Sequence, residues 1–414
     1  MQKKIGVLSL GCPRNLVDTE LILSSLANKG YRITEITEGE IAIINTCAFI
    51  KEAVKESLEA IEEVIALKRE GKVKKIIVYG CLVERYKDKL LPYFKEIDAW
   101  VGRVSLNRTL RKYFLTPRHY AYLKICEGCF HLCSFCVIPQ IKGRFQSRTL
   151  ASLLEEVKRI DANGVKELNI VGQDTSSYGR DISSSLNLVV LLENILKVVK
   201  YIRWIRLLYL YPTGINDELL KLVAAHPRMC KYLDIPFQHI NERILKLMRR
   251  DTTSLQTIKL LEKVRSKFPE IFIRTTLMVG FPTETEKEFK ELLNFVKRYR
   301  FERLGVFIYS KEEKTPAEKL KPQIPFSVKQ RRFNILMQVQ QEISKEINGN
   351  FLGKTLNVLI DEFQDNRYLA RTMYDAPEVD GTVWVDSQSA LKIGDFVDVK
   401  ITDTLEYDLV GRAL

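Results

Sequence analysis

Hydrophobic residues in the early part of the chain gather in three short continuous runs, Lys4 to Leu10, Ile41 to Asn45 and Lys75 to Tyr79. Between them the apolar positions recur every three or four residues. Continuous runs predict strands buried on both faces, and the intervening period predicts amphipathic helices near Asp18 to Lys29, Ile50 to Arg69 and Val83 to Phe94. Residues 1–117 are therefore expected to form a parallel α/β domain. Six strand–helix units follow, with strands at His119 to Ile125, Lys166 to Gly172, Trp204 to Leu210, Lys231 to Phe237, Ile271 to Gly280 and Arg303 to Tyr309. Their helical patterns lie near Leu150 to Ala162, Leu188 to Tyr201, Asn216 to Ala225, Glu242 to Met248, Ser254 to Lys267 and Glu284 to Arg298. Such an alternation predicts an incomplete (β/α)6 barrel over 118–346, ending in a long amphipathic helix, Ser327 to Ile347, that "NGNFLGK" terminates. Residues 347–414 hold five short β-rich runs and no helical pattern: Lys354 to Glu362, Tyr368 to Met373, Gly381 to Asp386, Asp395 to Ile401 and Tyr407 to Gly411. They predict a small antiparallel β-barrel of OB-like size. The fold class is α/β with this appended barrel.

A length of 414 residues agrees with more than one core. The longest apolar stretch, Leu186 to Val199, is interrupted by Asn187, Glu193 and Asn194 and falls short of the roughly 20 residues of a membrane span. The run Ile5 to Leu10 is shorter than the apolar core of a secretion signal, about 7–15 residues. A cytoplasmic protein with no membrane partner is expected, and in a reducing compartment clustered cysteines point to metal or redox chemistry. The net charge of +13 would suggest a nucleic-acid or ribosomal partner, but it is unevenly spread. Asn350 to Leu414 carries six Lys+Arg against twelve Asp+Glu, net −6, which leaves +19 on the rest.

The eight cysteines fall into patterns. "EGCFHLCSFC" places Cys129, Cys133 and Cys136 directly after the first barrel strand, and barrel active sites lie at the strands' carboxyl ends. Three thiolates can hold three irons of a cubane and leave a fourth open. A closed zinc site that also used Cys126 would need its CxxC pairs more widely separated, and a ferredoxin-like carrier would space its cysteines in another order. Cys12, Cys47 and Cys81 each stand just beyond one of the three N-terminal strands. Strand ends of a parallel sheet share one edge, so these distant cysteines are expected to converge as a second three-cysteine metal site. Cys230 reads as a buried packing residue. The four histidines are scattered; His131 and His239 could face a cavity, but neither has a partner at metal-ligand spacing.

The loop at 129–136, with an aromatic residue, Phe135, before its last cysteine, resembles the signature of the radical S-adenosylmethionine enzymes. That resemblance implies a reduced four-iron cluster whose open iron chelates S-adenosylmethionine and whose electron releases a deoxyadenosyl radical. No side-chain base could replace that radical at an unactivated carbon. Taken together, the three-cysteine α/β domain, this barrel and a β-barrel tail of TRAM type resemble the methylthiotransferases over essentially the whole chain. "LGCPRNLVDTE", "NTCAFIKEAVKESLEAI", "GCLVERY", "GQDTSSYG", "IPFQH", "TTLMVGFPTETEKEF" and "DAPEVDG" are similar to the RimO type.

This resemblance implies that a methylthio group replaces a hydrogen on the β-carbon of an aspartate of small-subunit ribosomal protein twelve. It implies two 4Fe-4S clusters, one on Cys129, Cys133 and Cys136 and one on Cys12, Cys47 and Cys81, with S-adenosylmethionine as radical source and methyl donor. An electron donor and a sulfur source are implied as partners. Strand-end residues Gln173, Asp174, Gln238 and Arg274 are candidates to fix the cofactor, with Gly280 admitting its nucleoside and Arg274 a bidentate partner for a carboxylate. A MiaB-like enzyme acting on a tRNA adenosine is the nearest alternative. An acidic tail suits a basic ribosomal protein better than RNA phosphates, and "GCPRNLVD" and "DAPEVDG" agree. A non-enzymatic iron–sulfur or RNA-binding protein of the ribosome would need neither an open iron nor strand-end cofactor residues. The chain departs from the family pattern at Lys142 and Gln146, where arginines are expected, and at Cys126, which most relatives do not require.

Overall fold

The computed structural model describes residues 3–103 and 111–414. Its first sheet is built from β1 (Lys4–Ser9), β2 (Arg32–Thr34), β3 (Ile41–Thr46), β4 (Lys75–Gly80) and β5 (Ala99–Val101), all parallel, in the order β2-β1-β3-β4-β5. The three inner strands are the ones that the apolar runs predict. The two edge strands have three residues each, none of them fully buried, and so leave no hydrophobic run. Helices α1 (Pro13–Asn28), α2 (Lys51–Arg69) and α3 (Cys81–Leu90) accompany the sheet. α1 begins five residues before the expected Asp18, because Pro13 takes a first-turn position where its missing N–H leaves no bond unmade. α3 begins at Cys81 itself. Gly80, at φ +103°, turns the chain straight from strand to helix, and a side chain there would strike Asn45 Oδ1.

The central sheet holds β6 (Tyr120–Lys124), β9 (Glu167–Val171), β10 (Trp204–Leu207), β11 (Met229–Asp234), β12 (Phe272–Val279) and β13 (Arg303–Ile308). These six strands are parallel, run in the order β13-β12-β11-β10-β9-β6 and do not close, as an incomplete barrel requires. After β6 a small ribbon of β7 (Cys126–Glu127) and β8 (Gln146–Ser147) pins the two ends of an excursion that carries α4 (Ile138–Lys142). Helices α5 (Leu150–Ala162), α6 (Leu188–Val198), α7 (Asp217–Ala225), α8 (Glu242–Leu247), α9 (Ser254–Lys267) and α10 (Glu286–Tyr299) alternate with the strands. All six of their N-caps are Thr or Asn side chains that accept a first-turn N–H: Thr149, Asn187, Asn216, Asn241, Thr253 and Thr285. α11 (Phe326–Gly349) then returns along β13 and α10.

The last unit is a closed barrel of β14 (Thr355–Gln364), β15 (Arg367–Arg371), β16 (Val383–Asp386), β17 (Phe396–Thr404) and β18 (Leu409–Ala413), ordered β14-β15-β16-β18-β17. The sequence predicts an antiparallel barrel; four of the five pairings are antiparallel and the fifth, β16 with β18, is parallel. Five strands cannot close with every neighbour antiparallel, since an odd ring leaves one pair running the same way.

This barrel covers the amino-terminal ends of the central strands. Asp361 meets His119 at 2.7 Å, Arg371 meets Glu167 at 2.7 Å, and Asp375 receives Arg303. From here "DAPEVDG" runs into the central lumen, where Glu378 accepts from Tyr120 Oη and Asp380 from Tyr232 Oη. Part of the tail's negative charge is thus spent inside the molecule. No helix among the described residues is long and apolar enough to cross a membrane.

Candidate functional site

At the opposite, carboxyl-terminal ends of the strands lies a cavity of about 400 Å³ to which all three units contribute. The first unit supplies Pro13, Arg14 and Phe49, the inserted tail segment supplies Pro377, Glu378 and Val379, and the strands and loops of the central unit supply the rest. Phe49, Phe307 and Val379 are 44 %, 51 % and 55 % exposed and ring its opening.

Cys129, Cys133 and Cys136 lie on the cavity wall with Phe135 between the last two. Their loop is held by Ser134, whose N–H donates to Met248 O at 2.9 Å and whose hydroxyl donates to Leu247 O at 2.7 Å. Each sulfur faces one N–H donor: His131 N to Cys129 and Ile138 N to Cys136, both at 3.4 Å, and Arg250 Nη1 to Cys133 at 3.9 Å. Donors aimed at sulfur are what iron-bound thiolates use. Burial pushes the Cys129 and Cys136 thiols up to about 12, so loading metal must displace protons. Among the described residues no three His, Cys, Asp or Glu side chains converge tightly enough to share one metal ion. A cubane asks only that each thiolate bond a different iron. Cys126 is not on this wall. It is 1 % exposed in the barrel core, against Gly172, and its thiol points at Asp174 O, 3.5 Å away.

The register of the first sheet brings the other three cysteines to one edge. Ser9 pairs with Asn45, and Thr46 with Gly80, so Cys12, Cys47 and Cys81 follow adjacent strand ends. Gly11 packs so closely on Cys47 that a Cβ would lie 2.8 Å from its Sγ, and φ of +87° at Gly11 makes that approach possible. Asn15 ties the three loops: its Nδ2 donates to Leu10 O and Thr46 O at 3.0 Å, and its Oδ1 lies 3.7 Å from Cys81 Sγ. Burial pushes the Cys81 thiol up to about 12 and raises that of Cys47. At Cys12 burial again opposes the thiolate, but Arg14, the Asn15 backbone and Lys142 together outweigh it and the net shift is downward. The three thiols do not line the cavity, but Pro13, Arg14 and Phe49, next to Cys12 and Cys47 in the chain, do.

The remaining sequence candidates divide. Gln173 and Gln238 line the cavity, and Gln173 Oε1 is buried with no partner among the described residues while its Nε2 donates to Glu127 at 2.9 Å. Asp174 lines it too, yet its carboxylate is already occupied by Ser176, Ser177 and His131. Arg274 is likewise spent, on Asp234 at 3.4 Å and Asp380 at 3.2 Å. Gly280 is not on the wall; it packs against Lys329 of α11, where a Cβ would clash. His239 is fully buried beside Glu284, and Cys230 is a core residue.

Sequence reading overlooked three basic groups. Arg250 lies over Tyr211 at 4.2 Å, with its Nε buried and unpaired among the described residues. Arg14 lies over Tyr209 at 4.3 Å and donates to Gly172 O at 3.2 Å. Lys142, set aside above as a departure from a pattern, is buried between the cysteine-bearing units, paired with Asp18 at 2.9 Å and Glu127 at 3.7 Å. Only position was available as a signal, two residues after Cys12 for Arg14 and six after Cys136 for Lys142.

Three families match segments of the chain: the Uncharacterized protein family UPF0004 over residues 4–102, the Radical SAM superfamily over 123–296 and the TRAM domain over 352–414. The chain is 45 % identical to the ribosomal protein uS12 methylthiotransferase RimO of Aquifex aeolicus, covering 99 % of this chain and 97 % of that protein. It is 44 % identical to the protein of the same name from Thermoanaerobacter sp., covering 99 % and 100 %, and 42 % identical to that of Clostridioides difficile, covering 99 % of each. Among solved structures, the radical S-adenosylmethionine methyltransferase TsrM from Kitasatospora setae, with cobalamin and a 4Fe-4S cluster bound, shares the fold over 86 % of this chain and 81 % of that one. Its TM-score is 0.55 at 15 % identity.

Proposed function

We propose, from the premise that this chain belongs to the RimO-type ribosomal protein uS12 methylthiotransferases, that its cavity places a methylthio group on the β-carbon of an aspartate of uS12. It is a radical S-adenosylmethionine transferase that uses an iron–sulfur cluster and S-adenosylmethionine, and its substrate is ribosomal protein uS12. The observation that carries the reading is one cavity shared by all three units, with one set of cysteines on its wall beside Pro13, Arg14 and Phe49 from the loops of Cys12 and Cys47.

In this reading residues 1–117 hold a second 4Fe-4S cluster through Cys12, Cys47 and Cys81, residues 118–346 hold the radical cluster through Cys129, Cys133 and Cys136, and residues 347–414 engage the substrate. The clusters would supply the electron that cleaves S-adenosylmethionine and a place for the transferred sulfur. The protein's own part is positioning. Arg250, beside Cys133 and paired with no carboxylate among the described residues, is the better partner for the cofactor's carboxylate now that Arg274 is accounted for. Gln173 Oε1 offers an acceptor for a ribose hydroxyl or an amine, Gln238 a polar wall, and Phe135 an apolar one. Asp174 and Asp251 hold His131 flat against Tyr211, ring centroids 3.5 Å apart, and so stiffen the loop that carries Cys129 and Cys133. A separate electron donor and sulfur source complete the scheme.

Mass spectrometry of ribosomal proteins and tRNA from cells lacking this chain tests the reading. The methylthio mass increment is expected to vanish from uS12. An increment lost instead from tRNA would overturn it.

A further inference from the structure

Three guanidinium groups reach the cavity, and their surroundings differ. Arg274 is neutralised by Asp234 and Asp380. Arg250, from the turn after α8, lies 3.9 Å from Cys133 Sγ. Arg14 pairs with no carboxylate among the described residues: one N–H goes to Gly172 O at 3.2 Å, and the plane lies 4.3 Å over the Tyr209 ring. Arg14 also reaches the Cys12 thiol, and of the five donors a guanidinium carries some are still left for another group. Its position matters as much as its charge, because Arg14 forms the wall between the loop of Cys129, Cys133 and Cys136 and the edge that bears Cys12, Cys47 and Cys81.

We propose that Arg14 is the anchor for the side-chain carboxylate of the target aspartate, and that this ion pair selects an aspartate in a peptide over a neutral nucleobase. The proposal rests on the function inferred above. A carboxylate entering a cavity walled by Leu208, Phe307 and Val379 loses its water and needs a charged partner there. A forked pair fixes both oxygens, and the β-carbon is one bond from the carboxylate carbon, so clamping the group also places the reacting carbon between the two cysteine sets. A neutral base in the same place would leave the guanidinium desolvated and unpaired, which is discrimination by mismatch. Arg14 is a binding residue here; its nearness to Cys12 raises the competing role of merely stabilising that thiolate.

The test compares wild type, Arg14→Met and Arg14→Lys as anaerobically reconstituted full chains, with synthetic peptides of the target loop bearing Asp or Asn at the modified position. Wild type is expected to bind the Asp peptide about 10- to 100-fold more tightly than the Asn peptide, the range of a charge-assisted hydrogen-bonded pair. Arg14→Met should bind the two equally and Arg14→Lys should recover part of the difference. Iron content is read beside binding in both variants, because Arg14 also touches the Cys12 thiol. Undiminished Asp over Asn preference in Arg14→Met would overturn the proposal, and so would loss of about half of the iron, which would assign Arg14 to the metal site. Failure of wild type itself to bind or modify the Asp peptide would sink the functional reading, whatever the variants did.

Discussion

The two cysteine sets reach the same region by opposite routes. Cys129, Cys133 and Cys136 lie within one excursion whose ends are pinned by the β7–β8 ribbon, so their proximity is written into eight consecutive residues. Cys12, Cys47 and Cys81 come from three loops tens of residues apart and meet because β1, β3 and β4 are parallel and in register. A local site depends on its own loop. An assembled site depends on whatever holds the strands, which here includes Gly11, Gly80 and above all Asn15.

The sharpest separation of the two comes from removing one ligand of each. Wild type reconstituted without oxygen should carry about eight irons, two four-iron clusters at three ligands each. Cys133→Ala should lose about four and abolish deoxyadenosine formation; persistence of that product would remove Cys133 as a ligand. Cys47→Ala should also lose about four, yet still cleave S-adenosylmethionine while making no methylthio product. A wild-type plateau near four irons would dissolve the comparison, because only one site would then exist.

A substitution that removes no thiol tests the difference in construction. Asn15→Ala strips the Nδ2 donor from two backbone carbonyls, at a cost of about 2 kcal/mol in denaturant unfolding. Iron at the assembled site should fall while deoxyadenosine formation stays intact. Equal losses at both sites would show that the second set is no more dependent on the sheet than the first.

The same contrast governs what the sequence made visible. The cysteines, the inner strands and the six-unit barrel were legible because each leaves a local mark, a residue type at a spacing or an unbroken apolar run. β2 and β5 left none, being short and incompletely buried. The partners of Asp174, Arg274 and Gly280 stayed out of sight for a different reason: a strand-end position says that a residue can reach the cavity, but not what it is engaged with. Asp174 is claimed by His131, Arg274 by Asp380 from the inserted tail, and Gly280 by Lys329 from α11, all partners far away in the chain. Arg14 gained its meaning in the same way, from the partner it lacks. Charge was the least reliable guide, since Asp361, Asp375 and Asp380 of the acidic tail face inward to basic side chains.

Between the two sets lies a buried charge cluster in which Lys124 and Lys142 share Asp18 of α1 and Glu127 beside the radical loop. Burial opposes ionisation of Glu127, but the two lysines outweigh it and hold the carboxyl down to about 2. A carboxyl lower in the folded than in the unfolded chain stabilises the fold above its ordinary value of about 4.3, and loses that contribution as pH falls toward its folded value. Glu127→Gln should therefore be less stable than wild type at pH 7, by about 1.5 kcal/mol given its partial solvent contact. The gap should narrow between about pH 5 and pH 2 in urea unfolding followed across that range. A gap unchanged at low pH would mean that Glu127 acts through packing and not through its charge.

The smallest effect is expected where the sequence drew most suspicion. Cys126 completes two CxxC pairs, yet in the structure its sulfur faces Gly172 and Asp174 O inside the barrel core and is absent from the wall that carries Cys129, Cys133 and Cys136. Burial raises its thiol strongly, as an inert core cysteine should be. Cys126→Ala removes one buried heavy atom, for about 0.5–1 kcal/mol of stability. Iron content, deoxyadenosine yield and methylthio product should be those of wild type. Loss of iron in this variant would make Cys126 a fourth ligand, close the iron on which the cofactor must sit, and turn the local site into the kind of sealed centre that the radical chemistry cannot use.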